Sequence, residues 1–241
     1  MPADAKTFLS GLPPALSQRV VVISPHLDDA VLSLGAAIDH AVRGGSSVDV
    51  VTVFAGDVSS RRRAGRWDRR AGFRREGEAA SARRVEDASA CRVLGAQPVW
   101  LDFGDEQYAR RRDGNEILDA VVARTRGADH ILVPGYPLRH ADHRFVAEIL
   151  CTADLGAAAI SLYAEQPYAD LGTPTPDPDA WHALTTPIAS IRAKRDACEA
   201  YSSQLPLLPK GMLEKIANEQ LQQTGETARA APGAPSWDAL T

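Results

Sequence analysis

Short unbroken apolar runs alternate along this chain with longer stretches in which apolar residues recur every three or four positions. RVVVIS at 19–24, VDVVTVF at 48–54, PVWLDF at 98–103 and HILVP at 130–134 are short and rich in β-branched residues, as fully buried strands are. AAAISLY at 157–163 has the same character. Between the first two runs, Ala30, Leu34, Ala37, Ile38 and Ala41 mark one face of a helix from about Asp29 to Arg43, stopped by Gly44 and Gly45. A long helix is predicted from about Phe73 to Leu94, closed by Gly95, with shorter ones at Glu116–Arg126 and Arg144–Leu150. Strands alternating with helices predict an α/β fold, a doubly wound, mostly parallel, Rossmann-like sheet with a small C-terminal extension. The proline-rich TPTPDPD at 173–179 introduces that extension. The domain is expected to span 1–222, and the aperiodic 223–241 to form a flexible tail.

Composition changes this picture little. The 241 residues are 44% hydrophobic and 24% charged, as in ordinary soluble globular proteins, and contain no internal repeat. A net charge of -4 gives no support for nucleic-acid binding over the whole surface. The N-terminal stretch has no basic start followed by an apolar run, so no signal peptide is expected. No apolar stretch approaches the roughly 18 residues of a membrane helix. Cys91, Cys151 and Cys198 are odd in number, far apart and without CxxC spacing, so they read as small core residues in a reducing compartment. The cytoplasm is therefore expected, with no nucleic-acid or membrane partner, and homo-oligomerisation is left open.

The first strand runs directly into Ser24-Pro25-His26-Leu27-Asp28-Asp29. Open α/β sheets bind ligands beyond the carboxyl ends of their strands. A dinucleotide site would place a GxGxxG there, but this chain places an imidazole and two carboxylates. A second cluster, Arg139-His140-Ala141-Asp142-His143, follows the fourth strand and so falls on the same rim. Together they supply His26, Asp29 and His143, or a near variant, as three metal ligands. Three protein ligands with an open fourth position form the pattern of a catalytic zinc. Asp28 is then placed to take a proton from an attacking water, and His140 to stabilise an oxyanion or protonate a departing amine. Asp142 can orient a histidine through its other ring nitrogen. His40, His130 and His182 have no such company and read as structural.

These residues resemble the PIG-L/LmbE family of N-acetylglucosaminyl deacetylases, whose motifs are of the AHPDD and HPDH types. The likeness extends over roughly 19–205, through VDVVTVFAGD, ARRVEDASACRVLGA and the late Tyr201-Ser202-Ser203-Gln204. It implies Zn2+ on His26, Asp29 and His143, Asp28 as general base, and His140 tuned by Asp142. It further implies that Arg83 and Asp105 hold the sugar of a small N-acylated amino-sugar substrate or its conjugate. Leucine and alanine stand where the family motifs have proline, at Leu27 and Ala141. Some members have a tyrosine where this chain has Leu138, and Tyr136 is the nearby candidate for that oxyanion role.

Residues 57–75, with Trp67 and Phe73 among many arginines, read either as a mobile lid recognising an anionic or sugar substrate or as a solvated loop. Tyr163, Glu165 and Tyr168 either line the same mouth or are half-buried at a strand end. The expected reaction is removal of an N-acyl, first of all N-acetyl, group from an amino sugar. The alternatives are an amidase of a sugar–thiol conjugate, a non-haem iron oxygenase, since two histidines and a carboxylate also suit Fe(II), and a non-catalytic sugar-binding protein.

Overall fold

A computed structural model describes residues 18–108, 113–151, 153–157, 159–170, 180–208, 216 and 219–223. Five strands pair in parallel: β1 (Arg19–Ser24), β2 (Ser47–Thr52), β3 (Gln97–Trp100), β4 (His130–Tyr136) and β5 (Ala159–Ala164). Two short strands, β6 (His182–Ala183) and β7 (Gln220–Gln223), add on antiparallel beyond β5. The order is β3-β2-β1-β4-β5-β7-β6, so the doubly wound sheet expected from the sequence is present. Strands are added outward in one direction from β1 to β3 and in the other from β4 to β5, so the crevice at the carboxyl ends of the adjacent, parallel β1 and β4 is the natural ligand site.

The unbroken apolar strands are buried on both faces because helices cover both. In β1, Val20 and Val22 face one core with α1 (Asp29–Arg43), α3 (Glu76–Leu94) and α6 (Ile188–Glu199). Val21 and Ile23 face the other, with α4 (Gly114–Thr125) and α5 (Ala141–Cys151). This is the two-residue period of a pleated strand. Gly95 takes the left-handed conformation (φ 72°) that ends α3, where a side chain would also meet Val42 at 2.8 Å. His130 is buried with Nε2 2.9 Å from the Ser161 hydroxyl, as a structural histidine should be. Cys91 and Cys198 are buried, but Cys151 is exposed at the end of α5, against expectation. Among the described residues no helix is long and apolar enough to cross a membrane.

Three boundaries differ from the sequence reading. Helix α3 starts at Glu76, not Phe73, because the chain before it is extended: Arg75 bridges Arg63, and the Glu76 N–H donates to Arg62 O. Helix α5 starts three residues before Arg144, so Asp142 and His143 lie in its first turn and not in a loop. Gln223, taken as the start of the tail, is the last residue of β7. The proline-rich 173–179 and residues 224–241 lie outside the described residues.

Helix α1 is broken in its middle. Leu34 departs from helical geometry (φ -134°, ψ 15°), which frees the N–H groups of Ala36 and Ala37. Both donate to the Glu219 carboxylate at 2.8 Å. Lys194 Nζ, fully buried, lies 2.8 Å from the same carboxylate and also donates to Ile216 O. Gly35 is required here, because a Cβ would stand 2.7 Å from Lys194 Cγ.

Candidate active site

The turn after β1 is set by Ser24. Its hydroxyl donates to His26 O at 2.5 Å and accepts the Ala30 N–H at 3.0 Å, so the chain doubles back over His26, Leu27 and Asp28 before α1 begins. Asp29 Oδ2 accepts the His26 N–H at 2.8 Å. Across the crevice, the first turn of α5 presents Asp142 and His143. The two clusters meet. His26 Nδ1 lies 3.1 Å from His143 Nε2 and 3.2 Å from Asp29 Oδ2, and His143 Nε2 is 3.1 Å from Asp29 Oδ2.

The far side of each ring is also spoken for. A carboxylate can only accept, so His26 Nε2 donates to Asp142 Oδ2 at 2.9 Å, leaving the Nδ1 lone pair for the triangle. His143 Nδ1 lies 2.6 Å from Glu165 Oε1, bent away from a straight hydrogen bond but at a distance that an N–H facing a carboxylate permits. Glu165 is in turn held by the Leu138 N–H at 3.0 Å, for which Leu138 adopts a left-handed φ of 49°. A leucine in that region costs of order 1 kcal/mol or more, a strain typical of functional sites. Two ring lone pairs and one carboxylate oxygen therefore converge on one point. Their 3.1–3.2 Å separations are close to the edge of a tetrahedron with ligand distances of about 2.0–2.2 Å. These three residues fit a metal ion of that size.

The local electrostatics make the same demand for positive charge. Burial works against protonating His26, yet hydrogen bonds to Asp142 and Asp29 outweigh it and lift the ring to about 9. His143 is raised for the same reason, burial being overcome by Asp29 and Glu165. Burial alone would raise Asp29, but the two histidines hold it well below the usual carboxylate range.

Asp28 is nearly buried on the wall of the cleft beside the triangle, and no side-chain capping bond at α1 occupies its carboxylate. Burial and the neighbouring Asp29 push its carboxyl upward, against the pull of Arg83 and His26. His140 also faces the cleft, its ring edge-on to His26 with centroids 5.0 Å apart. Its Nδ1 accepts the Asp142 backbone N–H at 3.2 Å, so the neutral ring carries its proton on Nε2. Burial and the two other histidines lower its pKa. The side-chain carboxylate of Asp142 is 3.7 Å from His140 Nδ1 but 2.9 Å from His26 Nε2. The histidine that Asp142 orients is thus His26, with His140 touched mainly through the Asp142 backbone.

These groups line a cleft of about 380 Å³ that also includes Arg83, Asp105, Glu106, Gln166, Tyr168 and Gln204. Arg83 is buried among carboxylates. Burial opposes its charge, but Asp28, Asp68, Asp105 and Asp29 outweigh it. Its Nη1 lies 3.6 Å from Asp68 Oδ1, and its Nε has no partner among the described residues. Asp105 is fixed by the Gln107 side chain at 2.7 Å. Tyr136 does not line the cleft; it packs on Trp181, centroids 5.9 Å apart. The phenol on the cleft wall is that of Tyr168, edge-on to His143 at 6.0 Å. Tyr163 is fully buried, its hydroxyl donating to Ile23 O.

The arginine-rich 57–75 packs against the body of the fold, and Arg66, Trp67 and Arg70 line the cleft. It contains a short helix, α2 (Arg66–Arg70), and is fastened at several points. Ser60 Oγ donates to Glu76, Asp68 is buried and accepts the Tyr108 hydroxyl, and Trp67 Nε1 donates to Gln204 Oε1 at 2.7 Å. Where the loop crosses α3 it rests on Gly77, at which a Cβ would lie 2.5 Å from Val58 O and 2.7 Å from Ser60 O. The Tyr201–Gln204 segment works as a fastener too. The Tyr201 hydroxyl donates to Asp87, Ser202 and Ser203 donate to Glu86, and Gln204 takes Trp67.

Comparison with solved structures places several deacetylases beside this fold. The A40926 pseudoaglycone deacetylase is 26% identical with a TM-score of 0.71, covering 86% of this chain and 97% of that one. A triple mutant of a deacetylase of the teicoplanin biosynthetic pathway is 24% identical, TM-score 0.71, covering 85% and 97%. The N,N'-diacetylchitobiose deacetylase from Pyrococcus horikoshii is 19% identical, TM-score 0.57, covering 88% and 77%. A comparison with curated proteins gave no match. The family profile for PIG-L, described as GlcNAc-PI de-N-acetylase, matches residues 21–153, a span that includes both clusters and more than half of the sequence. With the paired clusters meeting at one point on the expected sheet, the chain belongs to the PIG-L family.

Proposed function

We propose that this protein is a zinc-dependent hydrolase that removes an N-acyl group, first of all acetyl, from an amino-sugar-containing substrate. The observation that carries this reading is the triangle of His26 Nδ1, Asp29 Oδ2 and His143 Nε2, its edges 3.1–3.2 Å, with Asp28 and His140 beside it. Deacetylases among the structural neighbours support the hydrolytic chemistry. Zinc bound there supplies a Lewis acid and eases deprotonation of water. The residues do the rest. Asp28 accepts a proton from the water that attacks the carbonyl carbon. His140 presents its Nε2–H to the oxygen on which negative charge develops. As the C–N bond breaks, the proton held by Asp28 passes to the amine, leaving a carboxylic acid and a free amino sugar. Asp142 and Glu165 keep the two metal-facing rings in one orientation and tautomer. Arg83 and Asp105, which line the same cleft, hold the sugar hydroxyls.

The test is amine release. Metal-stripped protein reloaded with zinc is incubated with N-acetylated amino sugars and conjugates, a sugar–thiol conjugate among them, and free amine is titrated. Release from at least one member, abolished by a chelator, is expected. No release from any, or undiminished release from stripped protein, would overturn the reading. A second expectation concerns Glu165. Glu165→Gln keeps an acceptor for His143 but removes its charge, so zinc affinity measured against a competing chelator should fall about tenfold or more. Unchanged affinity would remove Glu165 from that supporting role.

A further inference from the structure

Both ring nitrogens of His140 face a group of the protein. Nδ1 accepts the Asp142 backbone N–H at 3.2 Å, so the hydrogen of the neutral ring is on Nε2. Nε2 in turn lies 3.6 Å from Glu106 Oε1, an ion-pair distance but too long for a hydrogen bond. Glu106 is placed by the loop after β3. Asp105 turns the chain there, its carboxylate accepting the Gln107 N–H and its carbonyl the Tyr108 N–H, and the short 3-10 turn Glu106–Tyr108 follows. The Glu106 N–H donates to Asp142 Oδ2 at 3.2 Å, the same oxygen that accepts His26 Nε2. Asp142 therefore ties down Glu106 and His140 together, and their side chains meet again at Nε2.

We propose that Glu106 is a positioning residue for His140, its carboxylate holding the ring with Nε2–H toward the cleft, ready for the carbonyl oxygen of the amide. The proposal rests on the reading of His140 as the donor to that oxygen, and it adds the group that keeps the donor in its working form. Three features argue for it. A negative charge facing Nε2 favours the tautomer with its hydrogen there, which the Asp142 N–H favours from the other side of the ring. At 3.6 Å the N–H is attracted without being consumed, so a substrate oxygen displaces no formed hydrogen bond. The Glu106 side chain is exposed and makes no other polar contact among the described residues, so its charge is not spent on the fold. By distance alone Glu106, His140 and Asp142 could also hold a cation, their ligand atoms lying within 4.8 Å of one another. The tautomer argues against it. A ligating Nε2 would give up its hydrogen and leave the Asp142 N–H pointing at an Nδ1–H.

The experiment compares Glu106→Ala with the parent, His140→Ala and the double variant, all zinc-loaded, with circular dichroism and zinc content as controls on folding. In Glu106→Ala, kcat for amine release should fall roughly three- to tenfold, the range of a partly exposed charge acting on a neighbouring ring, with KM within about twofold of the parent. In the His140→Ala background the same replacement should change kcat by less than about twofold, because nothing is left to position. An unchanged kcat, a loss in KM alone as a sugar contact would give, or a full Glu106 effect without His140 would each overturn the proposal. Nitrogen NMR of isotope-labelled histidine decides the point independently of turnover. At about pH 8, where a neutral ring predominates, the His140 signals are identified by their loss in His140→Ala. They should report the Nε2–H form in the parent and a mixture with the Nδ1–H form in Glu106→Ala. Identical His140 spectra in the two proteins would overturn the proposal. Should no N-acetylated sugar be hydrolysed, the spectra still decide whether Glu106 sets the ring, while the hydrolytic reading falls separately.

Discussion

Asp28→Asn is expected to bind zinc as the parent protein does and to lose roughly 10²–10⁴-fold in kcat, the usual contribution of a positioned general base. The expectation follows from where the side chain sits. Asp28 is next in sequence to Asp29, yet only Asp29 joins the triangle with His26 and His143. The Asp28 carboxylate lines the cleft, and no capping bond at α1 engages it. Asparagine is isosteric and cannot accept a proton at neutral pH, so ligand geometry survives and proton transfer does not. His26→Ala is the contrasting variant, since it removes a corner of the triangle and should lose the ion itself. Zinc stoichiometry by elemental analysis, read beside kcat, separates the two. A fully active Asp28→Asn protein would end the assignment of Asp28 as base.

The largest effect on stability is expected far from the cleft, at Glu219. Its carboxylate accepts two N–H groups freed by the break in α1 and neutralises the buried Lys194 ammonium. Glu219→Gln retains an acceptor for the helix but leaves Lys194 without a counter-charge. Removing one partner of a buried pair costs about 3–5 kcal/mol, a large part of the stability of a typical domain. Urea denaturation followed by circular dichroism should report a loss of that size, and Lys194→Met introduced beside Glu219→Gln should recover part of it. A change under about 1 kcal/mol in the single variant would mean that water reaches Lys194 and that its pairing with Glu219 contributes little.

The sequence pattern was most legible where burial is strongest. Val20 to Ile23 and Ile131 to Val133 are apolar on both faces because the sheet is covered on both, and the positions of these runs alone put His26 and His143 on one rim. Helix α5 was drawn too short because His140-Ala141-Asp142-His143 has no apolar spacing; its helical state is set by packing of the residues that follow, such as Val146 and Leu150. Glu165 was noticed only as part of an aromatic-rich strand end. Its role depends on meeting the loop after β4 at Leu138 and the first turn of α5 at His143, contacts with no local signature. Tyr136, at the end of β4, packs on Trp181, and the phenol on the cleft wall comes instead from Tyr168 in the short 3-10 turn Tyr168–Asp170, a segment without a periodic signal. Glu219 left no trace at all in the pattern. Gly35 was the one mark of the broken helix, and glycine alone does not say what stands opposite.

At Gly77 the arginine-rich segment leans directly on helix backbone, with Val58 O and Ser60 O occupying the space a side chain would need. The start of the segment is thereby seated on α3 by main-chain contact, while Ser60, Trp67 and Asp68 hold the rest through their side chains. Arg66 and Arg70, which take no part in those fastenings, can be replaced without tilting the scaffold beneath. Such a part can diversify among relatives while the hydrolytic floor is kept unchanged.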